Sequence, residues 1–150
     1  MNSVNNLKLT IVKLRDNVEV PRYAHAGDAG LDLRACTDVV ISPFQRVSIP
    51  CGFAMEIPTG YAGLVMPRSG LAIKQGLTMI NSPGLIDSNF RGELCVLAIN
   101  LDPENSIEIT HGMRIAQLVI IETPYVDITC ENTLSQSQRG KKGFGSSGLN

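Results

Sequence analysis

The chain has 150 residues, 43% of them apolar, which is enough for one domain with its own core and too many for a disordered polymer. Thirteen basic residues nearly cancel fourteen acidic ones, for a net charge of −1. That balance argues against a nucleic-acid coat or a membrane-surface binder, but leaves room for a small anion held by a few local cations. No stretch has the apolar length that crosses a bilayer, and residues 1–7 lack the apolar core of a signal segment. Neither a nucleic-acid nor a membrane partner is expected, and the chain reads as an intracellular, cytoplasmic protein. Cys36, Cys51, Cys95 and Cys130 form no CxxC pair and read as reduced, mostly buried thiols. His25 and His111 stand far apart, so no zinc site is expected.

Short apolar segments punctuated by Gly, Pro, Asn and Asp run along the chain. Residues 7–11 alternate as a half-buried strand does. Strands are then predicted at 47–49, 52–57 and 61–65, separated by Pro50, Pro58 and Gly60. Residues 69–75 predict the one short helix, with Ser69 as N-cap and Gly76 as its stop. Further strands are predicted at 77–80, 94–100, 106–109 and 115–121, with a turn at Ser88-Asn89 folding the middle of this region into a hairpin. The rhythm is that of an all-β barrel or jelly roll. From Glu131 onward the chain is rich in Ser, Gln, Gly and Lys, the composition of a flexible arm. The expected division is a β-barrel core over 1–130 and a C-terminal arm over 131–150.

Several segments have both a chemical and a plainly structural reading. In Pro67-Arg68-Ser69-Gly70-Leu71-Ala72, a helix start offers unpaired N–H groups, Arg68 a fork of donors, Ser69 a hydroxyl and Gly70 close access to the backbone. That is a phosphate cradle, or an ordinary helix start with a solvated arginine. Between Asn81 and Glu93 a hairpin opening would expose main-chain groups able to pair with the edge of a flat base. Asp87 is placed beside it to accept a proton from water, or else to bond its own turn. In the arm, Arg139 and the Gly/Ser run around lone Phe144 form either a phosphate wrap with a stacking ring or a linker. Asp28 and Asp32 lie in a Gly/Ala-rich turn before a strand, where carboxylates serve Mg²⁺ through water or cap the turn. Arg114 and Gln117 bring donors into the last strand, or simply give it a polar outer face.

Taken in order, A-G-x-D-L, P-R-S-G-L-A, G-x-I-D-x-x-[YF]-R-G-E, R-I-A-Q and R-G-x-x-G-F-G-S-S-G run from Ala24 to Gly148. This series resembles the five signature motifs of the trimeric dUTPase family and covers almost the whole chain. The resemblance implies a distorted β-barrel or jelly-roll protomer with one short helix. It also implies a homotrimer with three shared active sites, each closed by the C-terminal arm of a chain whose barrel lies elsewhere. The implied reaction is Mg²⁺-dependent hydrolysis of dUTP to dUMP and pyrophosphate, which keeps uracil out of DNA and supplies dUMP for thymidylate synthesis.

Carried over residue by residue, Asp87 matches the group that activates the attacking water, and Asp32 the carboxylate that holds waters of the Mg²⁺. Arg68, Ser69, Gly70, Gln117, Arg139, Ser146 and Ser147 match phosphate contacts. Asn81, Leu85, Ile86 and Cys95 match the uracil-pairing positions, largely through the main chain. Phe144 matches the ring that covers the base. Phe90 departs from the family's usual Tyr; it keeps the ring that packs against deoxyribose and loses the hydroxyl, a feature shared with the related dCTP deaminases. Alternatives on this fold are such a deaminase, a nucleotide-binding protein without turnover, and a structural jelly roll.

Overall fold

A computed structural model of the chain describes residues 7–141 and 143. Ten strands and one helix follow in order: β1 Thr10–Lys13, β2 Leu31–Arg34, β3 Val39–Ile41, β4 Arg46–Glu56, β5 Tyr61–Pro67, α1 Ser69–Gln75, β6 Leu77–Met79, β7 Gly84–Ile86, β8 Glu93–Asn100, β9 Ile107–Ile109 and β10 Arg114–Glu122. Two four-stranded sheets, ordered β1-β4-β8-β6 and β2-β10-β5-β7, accompany a ribbon of β3 and β9. Every strand pairing among the described residues is antiparallel. This is the expected all-β, jelly-roll type of architecture with one short helix.

The core follows from the period of two in the strands. Ile49, Cys51, Phe53 and Met55 point inward from β4, and Leu94, Val96 and Ala98 from β8; they meet Leu33, Val65, Ala116 and Leu118 of the other sheet in one cluster. Asn100 ends the inward row of β8 fully buried, and its amide is satisfied: Nδ2 donates to Ile41 O and Asn105 O, and Oδ1 accepts from Asp102 N–H. It locks the end of β8 to the chain on either side.

Four expectations need correction. Pro50 does not divide two strands, because β4 runs through it as one element. A register shift between Pro50 and Ala54 absorbs both the missing N–H and Gly52, whose φ is +77°. The first strand is Thr10–Lys13 and not 7–11, since its place is set by pairing with Phe53–Glu56 on β4. The N-cap of α1 is Arg68, not Ser69. The Arg68 backbone is extended, its carbonyl accepts from Leu71 and Ala72 N–H, and no side chain caps it. Gly76 does stop the helix, in the left-handed conformation. All four thiols are free, but only Cys51 is fully buried; Cys36 and Cys95 are half-buried and Cys130 is exposed.

β6, β8 and the turn at Ser88-Asn89 form the predicted hairpin, with an excursion inside it. β6 pairs with β8 only from Met79↔Ala98 to Leu77↔Asn100, and Ile80 N–H reaches Leu97 O. The chain then leaves β8, and Gly84–Ile86 pairs with β5 instead.

Candidate active site

That excursion opens a gap between the sheets. β7 is the edge strand of its sheet, and the Glu93–Val96 part of β8 has no β6 partner. A pocket of about 190 Å³ fills the gap, lined among others by Asn81, Leu85, Ile86, Phe90 and Cys95. Five of the six residues expected to meet a base and sugar, all but Phe144, are therefore together, beside main chain that one sheet leaves unpaired. A flat ring with donors and acceptors on its edge fits such an opening as a strand would.

Asp87 stands just past this pocket, in an adjoining hollow with Tyr61, Leu85, Ser88 and Asn89. The turn it begins is closed by the main chain, Phe90 N–H to Asp87 O at 3.1 Å. Among the described residues its carboxylate makes no hydrogen bond, so the turn does not consume it. Arg91 braces the same turn: Nη1 donates to Ser88 O (2.7 Å) and Phe90 O (2.9 Å), and Nη2 pairs with Glu56 (3.2 Å).

A second group of expected residues lies where β2, β5 and β10 meet. Gln117 pairs in register with Asp32 on one side and Met66 on the other. Its Nε2 donates to Pro67 O, at the end of β5 and next to Arg68. Arg68 Nε lies 3.6 Å from Asp32 Oδ1, and Arg114 Nη1 lies 3.2 Å from Asp32 Oδ2. Arg68 Nη1 also donates to Arg114 O. Asp32 thus sits on β2 itself, not in the preceding turn, and holds two guanidiniums with a net charge of +1 among the three. Asp28 is the turn residue, taking His25 N–H on Oδ2. Ser69 and Gly70 begin α1 beside this cradle. Cations fixed by a carboxylate and a helix start suit phosphate oxygens.

No cluster of three or more His, Cys, Asp or Glu among the described residues suits a metal ion. Asp32 is a lone carboxylate with a guanidinium against each oxygen. This donor set fits Mg²⁺ only as an ion that keeps its waters and takes further ligands from phosphates, as Mg²⁺ commonly does.

Arg139 lies in the exposed stretch after β10, with Nη2 bonded to Gly143 O. Phe144, Ser146 and Ser147 lie outside the described residues. Arg91 and Glu56 are additions that the sequence did not point to, and Arg114, expected only as a donor on the last strand, joins the cradle through Asp32.

A pocket on opened main chain, a free carboxylate at its rim and a separate arginine cradle suit a nucleoside polyphosphate. Comparison with known proteins narrows the class. The dUTPase family model matches residues 16–148, and the chain belongs to the dUTPase family. It is 49% identical over 140 residues to the deoxyuridine 5'-triphosphate nucleotidohydrolase of Corynebacterium glutamicum, covering 93% of this chain and 94% of that one. It is 45% identical to the enzyme of the same name from Picosynechococcus, over 95% of this chain and 99% of that one. A mutant dUTPase of Staphylococcus bacteriophage 80alpha, solved with dUpNHpp, superposes with a TM-score of 0.87 at 30% identity, covering 95% of this chain and 99% of that one. The dUTPase of phage phi11, in a mutant whose structure concerns coordination of a structural Mg(II) ion, has a TM-score of 0.78 at 25% identity, over 84% and 97%.

Proposed function

We propose that the chain hydrolyses dUTP to dUMP and pyrophosphate by attack of water at the α-phosphorus, and that its two groups of site residues divide the work. The observation that carries this is the unbonded Asp87 carboxylate at the rim of the pocket lined by Asn81, Leu85, Ile86, Phe90 and Cys95. Uracil pairs with the main chain of β7 and β8, and the Phe90 ring packs against the sugar. Asp87 orients a water and takes its proton. Arg68, Ser69, Gly70 and Gln117 hold the phosphates and stabilise charge on the leaving pyrophosphate. Mg²⁺ brought by the triphosphate would be held through its waters at Asp32, and when bound it neutralises phosphate charge.

One chain does not bring these groups to one phosphorus. Ile86 pairs with Gly63, so Asp87 follows beside Ala62 at one end of β5, whereas Arg68 follows Pro67 at the other. Six residues at about 3.3 Å of rise separate the two ends by roughly 20 Å. The separation supports a site assembled between subunits, with the Asp87 pocket of one chain facing the cradle of another in a homotrimer. Ile80 and Leu97, bonded to each other through the main chain, remain 52% and 38% exposed, which suits burial between copies. The arm over 131–150, carrying Arg139, Phe144, Ser146 and Ser147, then closes over a site away from its own core. Leu134 in that arm is 94% exposed, as are Tyr125 and Ile128 (94% and 91%) in the stretch leading to it, side chains that a covering surface would shelter.

The test is pyrophosphate release from dUTP, UTP, dTTP and dCTP with Mg²⁺, with ammonia assayed on dCTP. Release from dUTP alone is expected; ammonia from dCTP would move the chain to the deaminase reading.

A further inference from the structure

The Phe90 ring does not stand free at the pocket; it rests on Gly92. A methyl carbon built on Gly92 would lie 2.6 Å from Phe90 Cζ and 3.0 Å from Cε2, and its three nearest neighbours all belong to that ring. Gly92 is not among the glycines of positive φ, so its main chain is open to any residue. What excludes a side chain there is the ring alone. The Phe90 backbone is already fixed from both sides, its N–H given to Asp87 O and its carbonyl held by Arg91, which is anchored in turn on Glu56 at the end of β4. The freedom left to Phe90 is rotation of its side chain, and the bare Cα of Gly92 leaves the space that the ring occupies.

We propose that Gly92 is a specificity-determining position for the reaction: it seats the Phe90 ring, and through the ring it sets the wall that the nucleotide sugar meets. The inference rests on the reading of this pocket as the base and sugar site. It assigns Gly92 a positioning role, with no contact to substrate. The missing hydroxyl of Phe90 sharpens the dependence, because ring placement is then set by packing alone.

The experiment is a double-mutant cycle of Gly92→Ala and Phe90→Ala, with kcat and KM measured for dUTP and UTP and thermal unfolding followed for each variant. Gly92→Ala is expected to lower the dUTP-over-UTP ratio of kcat/KM by roughly tenfold, mostly through KM for dUTP, with the unfolding midpoint unchanged. In the Phe90→Ala background the same substitution is expected to change the ratio by less than about twofold, since no ring remains to displace. A Gly92→Ala effect that persists undiminished without the ring would overturn the proposal, because Gly92 would then act through the backbone. An unchanged ratio in Gly92→Ala, with a lowered ratio in Phe90→Ala, would also overturn it while leaving the pocket assignment intact. Unchanged ratios in both single variants would remove Phe90 from the sugar site and the proposal with it.

Discussion

At the proposed phosphate end of the site, side chains from three places in the fold are tied together by charge. Asp32 on β2 holds Arg68 at the start of α1 and Arg114 on β10, and Gln117 secures the end of β5. At the base end the charged contacts are local braces: Arg91 ties the turn at residues 88–90 to Glu56, and Glu93 meets Arg15. The pocket exists because β7 pairs with β5 instead of β8 and leaves main chain facing an opening. The cradle is therefore specified by side-chain identity, and its members depend on one another. The pocket is specified by strand path, and most of its side chains are walls, not readers. Substitutions in the cradle should be costly and coupled. Substitutions of pocket walls should be mild unless they move the backbone or the Phe90 ring.

The largest effect is expected at Asp87, the proposed proton acceptor at the base end. Asp87→Asn keeps the shape of the turn, which the main chain closes, and removes the proposed proton acceptor. Turnover should fall by about a thousandfold or more, near the top of what a general base contributes, while affinity for a non-hydrolysable dUTP analogue changes little. Normal turnover would take Asp87 out of the mechanism. Next is complementation. Because Asp87 and Arg68 of one chain lie at opposite ends of β5, co-expressed Asp87→Asn and Arg68→Ala subunits should regain turnover that neither variant has alone. No recovery in mixed oligomers would mean that both groups act within one chain.

Asp32→Asn is expected to lower kcat/KM by roughly tenfold to a hundredfold, the range seen when a group that orients site residues is removed. Because Asp32 also anchors two arginines, raising Mg²⁺ should not restore the loss. Full rescue by Mg²⁺ would show that Asp32 serves the ion alone and that the cradle stands without it.

The two ends were not equally legible in the sequence. Strands 94–100, 106–109 and 115–121 came out almost as observed because their alternation matches the face they bury. β2, β3 and β7 did not, since three or four residues beside glycines and prolines carry too little pattern. Their place comes from partners distant in the chain, such as β10 for β2. The five motifs carried Asp32, Arg68, Asp87 and Gln117. They did not carry the ion pair of Arg114 with Asp32, which joins residues 82 positions apart and depends on the register of two strands. Nor did they show that Ser69 lies one residue inside the helix and not at its cap.

The smallest effect tests the base end directly. Leu85 borders both the base pocket and the Asp87 hollow, yet its side chain is 62% exposed. If uracil pairs with the β7 main chain, Leu85→Ala removes only part of a wall. Its cost in kcat/KM for dUTP should stay near twofold to threefold, the size of an exposed substitution that leaves the backbone in place. Selectivity for dUTP over dCTP should not move, because the groups that distinguish the two bases belong to the main chain. A hundredfold loss, or a loosened choice between uracil and cytosine, would make the Leu85 side chain a reader of the base. The pocket would then depend on side-chain identity as the cradle does, and the contrast between the two ends would not hold.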